Sequence, residues 1–129
     1  MTDLLDAANA ARARAHAPYS GYRVGAALRD GDGRIHAGAN VENAAYPLGL
    51  CAEAAAIAAM VTAGGTAIAE FLVVAEGAAL VTPCGGCRQR IREFAEPATP
   101  IHLAEPGAVL ATVTLGALLP MSFGPDHIR

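Results

Sequence analysis

"FLVVAEGAALVTPCGGCRQRIREF", Phe71 to Phe94, holds both kinds of element that the fold needs in one stretch. "FLVVAE" is a continuous β-rich run of the kind found in central strands, whose two faces are both covered. After a loop, "CGGCRQRIREF" follows, and its Ile91 and Phe94 suit one face of a helix. The two cysteines at the head of that helix pose a question. Two thiols separated by two residues are either a redox couple or half of a metal site.

Working outward, "CAEAAAIAAMVTA", 51–63, consists almost wholly of strong helix formers and runs into Gly64-Gly65, a helix stop. It is apolar nearly all round, which predicts a buried helix. "RVGAAL" and "IHAGAN", on either side of "RDGDGR", predict a β-hairpin. "DGDG" lacks the further acidic ligands and the closing Glu of a calcium loop, so it reads as a plain turn. From Thr2 to Ala15, Leu4, Leu5, Ala8, Ala11 and Ala15 recur at helical spacing behind Thr2 or Asp3 as a cap, and Pro18 stops the pattern. Toward the C-terminus, strands are expected near Ile101 to Ala104 and Val109 to Val113, then a short helix after Thr114 that stops at Pro120. The order α, β-hairpin, α, β, α, β, β, α predicts an α/β fold: a three-layer α/β/α sandwich around a mixed five-stranded sheet. No repeat or linker divides residues 1–129, which read as one domain.

The composition limits the chemistry. Hydrophobic residues make up 53% of the chain and aromatic ones 5%, with no Trp, so the core is built from small aliphatics, Ala above all. With a net charge of -3 and arginines (Arg12, Arg14, Arg88, Arg90, Arg92) that form no long run, a polymeric nucleic acid is not the expected partner. "MTDLLDAANA" has neither the basic region nor the apolar core of a signal or transit peptide. No apolar run reaches the ~18 residues of a membrane span. The expected location is cytoplasmic, where thiols stay reduced and three cysteines signify chemistry or metal rather than disulfides.

Cys51 opens one predicted helix and Cys84 another, with Cys87 one turn further on, where its sulfur can converge with that of Cys84. Three thiolates gathered at two helix N-termini make sense around a cation, and zinc suits sulfur donors and tetrahedral geometry. Three protein ligands leave a fourth position open, the mark of a catalytic zinc site that acidifies water toward a pKa of about 7. Glu53, two residues after Cys51, is placed to take a proton from that water and hand it to a leaving nitrogen. A thioredoxin-like couple has no use for Cys51. A structural zinc module needs a fourth ligand, whereas His16, His36, His102 and His127 stand singly and read as surface or satisfied polar residues.

"CAE" followed by "PCGGCRQ" is the zinc-deaminase signature in its three-cysteine form. Together with "APYSGYRVGAAL", "GANVENAAY", "CAEAAAI" and "LLPMSFGP", in that order, the chain resembles the small homotetrameric cytidine deaminases over nearly its whole length. The resemblance implies hydrolysis of cytidine and 2'-deoxycytidine to uridine and 2'-deoxyuridine with release of ammonia, a reaction of pyrimidine salvage. It implies one Zn2+ per subunit on Cys51, Cys84 and Cys87, with Glu53 as the proton shuttle. Asn40 and Glu42 fall at ribose-binding positions, and Tyr22 and Val24 where the base pocket is lined. The backbone around Ala52, Thr82 and Cys84 is expected at the pyrimidine edge. Phe123 matches a residue that reaches into a neighbouring subunit's pocket, so the resemblance implies a homotetramer with shared active sites.

Other readings share parts of this pattern. Blasticidin S-type deaminases share the cysteines but lack "VEN". A nucleic-acid editor would need a stacking groove or basic channel, which few aromatics and an acidic balance do not supply. Two departures from the family stand out. Many three-cysteine members carry Arg directly after the catalytic Glu to offset the thiolate charge, and here that position is Ala54; backbone amides, or Arg88 or Arg90, are expected to compensate. Pro47 replaces a common Gly and stiffens the loop before Cys51, with no expected change in chemistry.

Overall fold

A computed structural model describes residues 2–129. Helix α1 spans Thr2–Arg12, strands β1 and β2 span Val24–Asp30 and Ile35–Ala39, and a 3-10 turn covers Tyr46–Leu48. Helix α2 (Ala52–Thr62), strand β3 (Ile68–Ala75) and helix α3 (Gly85–Arg92) follow. Strands β4 (Pro100–Glu105) and β5 (Ala108–Thr114), helix α4 (Leu115–Leu118) and a 3-10 turn at Pro125–His127 complete the order. The sheet order is β2-β1-β3-β4-β5, with β3 and β4 parallel and the other pairs antiparallel. A parallel pair needs a crossover. Here the crossover is the loop and helix that carry Cys84 and Cys87.

The apolar run read as a central strand is central: Phe71, Leu72, Val73 and Val74 of β3 are all fully buried. Strand alternation divides them between two cores. Phe71 and Val73 pack with Ala26, Leu28, Ile101, Ala56, Met60 and Ile91 beneath α2 and α3, while Leu72 and Val74 pack with Leu4, Leu5, Ala8 and Ala27 beneath α1. Helices therefore cover both faces of the sheet, in three layers.

The Ala-rich composition shows its effect where helices meet the hairpin. A Cβ added to Gly25 would sit 2.1 Å from the Ala8 carbonyl oxygen, and one on Gly38 would sit 2.5 Å from the Ala56 nitrogen. Both helix backbones rest directly on glycines of the strands. In the hairpin turn, the buried carboxylate of Asp30 accepts from the backbone N–H groups of Asp32 and Arg34 and pairs with His36 Nε2 at 2.8 Å. The acidic turn thus directs Asp30 to its own backbone, as a plain turn does.

Three expectations need correction. Helix α2 is buried on one face only: Ala52, Glu53, Ala56, Ile57 and Met60 face the sheet, whereas Ala58, Val61 and Thr62 are exposed. A single layer covers one side of a helix, and alanines cost little when exposed. Helix α1 ends at Arg12, before Ala15, because the His16 N–H is drawn to the Asn40 carbonyl at 3.0 Å as the chain crosses to the sheet. Phe94 lies beyond the end of α3, and its carbonyl receives the Ile68 N–H at 2.9 Å.

Candidate active site

Cys51 is the N-cap of α2 and Cys84 the N-cap of α3, both in extended backbone conformation, and Cys87 lies in the first turn of α3. All three are free thiols, and their sulfurs lie within 4.8 Å of one another. Among the described residues no other cluster of three or more Cys, His, Asp or Glu converges in this way. Sulfurs bound to one zinc at about 2.3 Å stand roughly 3.8 Å apart, so the observed triangle needs little contraction to hold the ion.

The electrostatics agree with a cation at this point. Burial pushes the thiols of Cys51 and Cys87 up, so neither ionises readily by itself. Cys84 is shifted down, chiefly through the backbone N–H of Cys87. Three ionised sulfurs here require a compensating charge, which a soft divalent ion supplies. Donor type, number and spacing all fit zinc.

Glu53 is 5% exposed, in the first turn of α2, two residues beyond Cys51. Burial pushes its carboxyl above the usual range, against the opposing effects of its own backbone N–H and the charge of Arg90. A carboxyl raised in this way can hold and release a proton nearer neutral pH.

A cavity of about 520 Å3 opens over this corner of the molecule. Its wall brings together Tyr22, Val24, Asn40, Glu42, Ala52, Glu53 and Thr82 with Cys51 and Cys84. Cys87 lies buried behind them. Phe123 is not in this cavity. It is 58% exposed, stacks on His127 with ring centroids 5.1 Å apart, and its carbonyl accepts from Gln89 Nε2 at 2.8 Å.

Asn40 and Glu42 both have structural partners that spacing alone did not reveal. Asn40 accepts from the Val24 N–H at 2.9 Å and donates to the Tyr22 carbonyl at 2.8 Å, fixing the chain that enters β1. Glu42 accepts from the N–H groups of Tyr19 and Ser20 at 3.0 and 3.1 Å, and the Ser20 hydroxyl donates to its other oxygen. Ser20 lowers the Glu42 carboxyl below its ordinary range, which keeps it ionised. A second hollow of about 390 Å3 continues past Glu42 between Tyr19, Ser20, Asn43 and Tyr46. Sequence reading missed these residues; the signal was Ser20 in "APYSGY", a hydroxyl two residues before Tyr22.

Of the two arginines offered as compensating charges, only Arg90 has a sulfur among its hydrogen-bond partners. Arg88 donates to the carbonyls of Pro83 and Leu118 at 2.8 and 2.9 Å, whereas Arg90 Nη1 lies 3.6 Å from the Cys87 sulfur.

Comparison with known proteins places this geometry. The family model for the cytidine and deoxycytidylate deaminase zinc-binding region matches residues 1–103, a span that includes all three cysteines and Glu53. A cytidine deaminase of Sporosarcina psychrophila is 38% identical over 125 residues, which covers 97% of this chain and 92% of the relative. Among solved structures, the cytidine deaminase of Burkholderia pseudomallei superposes with a TM-score of 0.88 at 40% identity, covering 95% of this chain and 98% of that one. The enzyme of Mycobacterium tuberculosis gives 0.84 at 37% identity, over 95% of this chain and 96% of that one. Agreement of this extent, in sequence and in the layered sheet alike, places the chain in the cytidine and deoxycytidylate deaminase family.

Proposed function

We propose that this chain hydrolyses cytidine and 2'-deoxycytidine to uridine and 2'-deoxyuridine with release of ammonia, a step of pyrimidine salvage. The observation that carries the reading is the convergence of Cys51, Cys84 and Cys87 at two helix N-termini, with the buried Glu53 in the same corner. Zinc, when bound to the three cysteines, supplies a Lewis acid that makes water nucleophilic near neutral pH.

Glu53 carries the protons. The water oxygen bonds to C4 and the C4–N4 bond breaks; of the two water protons, one ends on N3 and the other on the departing ammonia. A carboxyl whose proton affinity is raised by burial can accept from water and deliver to nitrogen in turn. The ordered carboxylate of Glu42 and the amide of Asn40 retain lone pairs and a donor for the ribose hydroxyls. Tyr22 and Val24 flank the base, and the short side chains at Ala52, Thr82 and Cys84 let main-chain groups approach the pyrimidine edge.

The site as proposed is completed by neighbours. Phe123 is exposed and does not line its own chain's cavity, which leaves it free to close a neighbour's pocket, and the proposed assembly is a homotetramer with shared sites. Among the described residues no helix is long and apolar enough to cross a membrane. We place the enzyme in the cytoplasm, acting on free nucleosides rather than on polymeric nucleic acid.

The test follows the fall in ultraviolet absorbance when zinc-loaded protein meets cytidine, with Glu53→Gln alongside. Turnover reduced by about 10^2 to 10^4-fold in the variant is expected for loss of a proton carrier. A zinc-loaded protein that leaves cytidine and deoxycytidine untouched would overturn the reading.

A further inference from the structure

Three thiolates on one Zn2+ sum to a net charge of -1, which works against the ion as a Lewis acid and against a carboxylate nearby. The two helix N-termini return only about half a positive charge each. Ala54, next to Glu53, adds none. The remaining side-chain cations of α3 differ in where they point. Arg88 is engaged by the carbonyls of Pro83 and Leu118, and Arg92 by Ser122 and Asp126. Arg90 instead directs Nη1 at the Cys87 sulfur, 3.6 Å away.

Its position follows from the helix. Arg90 is three residues after Cys87, hence on the same face one turn on. The guanidinium lies over the first turn of α3, where a Cβ on Gly86 would be in ordinary contact with Arg90 Nη1 at 3.5 Å. Among the described residues no carboxylate lies within ion-pair distance of Arg90, so its charge is not neutralised elsewhere.

We propose that Arg90 is a positioning residue that offsets the excess negative charge of the cysteine cluster, so that the site holds zinc firmly and leaves it electrophilic. This rests on the reading of Cys51, Cys84 and Cys87 as the zinc ligands. Arg90 is exposed apart from this contact and belongs to neither hydrophobic core.

The experiment measures zinc release from the purified holoenzyme into excess colorimetric chelator, for wild type, Arg90→Gln, Arg90→Lys, Cys87→Ser and, as a remote control, the exposed Arg34→Gln. Arg90→Gln should release zinc about 10 to 100-fold faster, the usual consequence of losing a group that supports a metal ligand. Arg90→Lys, which keeps the charge, should fall between it and wild type, and Arg34→Gln should match wild type. In cytidine turnover, Arg90→Gln should lower kcat with little change in KM. Wild-type release from Arg90→Gln, while Cys87→Ser loses its zinc, would overturn the role of Arg90 alone. Equal acceleration in Arg90→Gln and Arg90→Lys would also overturn it, by showing that shape rather than charge matters. Zinc retained normally by Cys87→Ser would instead overturn the ligand assignment and, with it, this inference.

Discussion

On the α1 side of the sheet, Glu70 accepts from Arg29 Nε and pairs with His102 Nε2, each at 2.9 Å, while Thr112 satisfies the other ring nitrogen of His102 at 2.8 Å. On the α2–α3 side, Glu53 accepts no hydrogen bond from another side chain among the described residues, and two of the three thiols beside it are pushed toward their neutral forms by burial. Burial acts on both carboxyls. For Glu70, hydrogen bonds from His102 and Arg29 outweigh burial and the carboxyl is shifted down; for Glu53, burial wins and it is shifted up. A polar group that serves structure is paired until its charged form is comfortable, and a group that serves chemistry is left short of partners until a metal or substrate arrives.

The sharpest break between the two sides is expected from Cys51→Ser. It should abolish stoichiometric zinc binding and turnover together, as read by metal analysis and the absorbance assay, because two sulfurs no longer make a three-ligand site. Next is Glu70→Gln, which removes one of the two carboxylates paired with Arg29, Asp3 being the other, and the oxygen that His102 Nε2 meets. It should cost about 1 to 3 kcal/mol in denaturant unfolding with kcat unchanged.

The same carboxyl gives a pH signature. Its folded pKa is depressed, so its stabilising effect is present above the ordinary glutamate value of about 4.3 and is lost as pH falls through the folded value. Wild type should therefore lose its stability advantage over Glu70→Gln in acid, and unfolding curves taken down the pH scale measure it. Smallest is Glu42→Gln, expected to raise KM for cytidine about tenfold, a loss of about 1.4 kcal/mol, with zinc content unaltered.

The metal side was largely legible in the sequence because its logic is local. Cys51 and Cys84 announce themselves as residues before helices, Cys87 follows by helical spacing, and Glu53 sits in the next turn position of a run that can only be a helix. The α1 side was not legible. His102 read as an isolated polar residue, since nothing in the sequence reveals that β3 and β4 run parallel with Leu72 opposite His102, or that β5 brings Thr112 to its other side. Cross-strand neighbours depend on register, which only the folded sheet fixes.

Helix rotation had the same effect at the site. Arg88 and Arg90 look equivalent as sequence, yet one holds a loop and the other faces the sulfur. The exposed side of α2 was hidden because alanine fits a buried and a bare helix face equally well.

The most direct test of the contrast measures turnover and thermal unfolding on the same zinc-loaded preparations of Glu53→Gln and Glu70→Gln. Glu53→Gln should lose about 10^2 to 10^4 in turnover with an unfolding midpoint close to wild type, while Glu70→Gln should unfold earlier and turn over normally. Wild-type turnover in Glu53→Gln, with zinc in place, would contradict it.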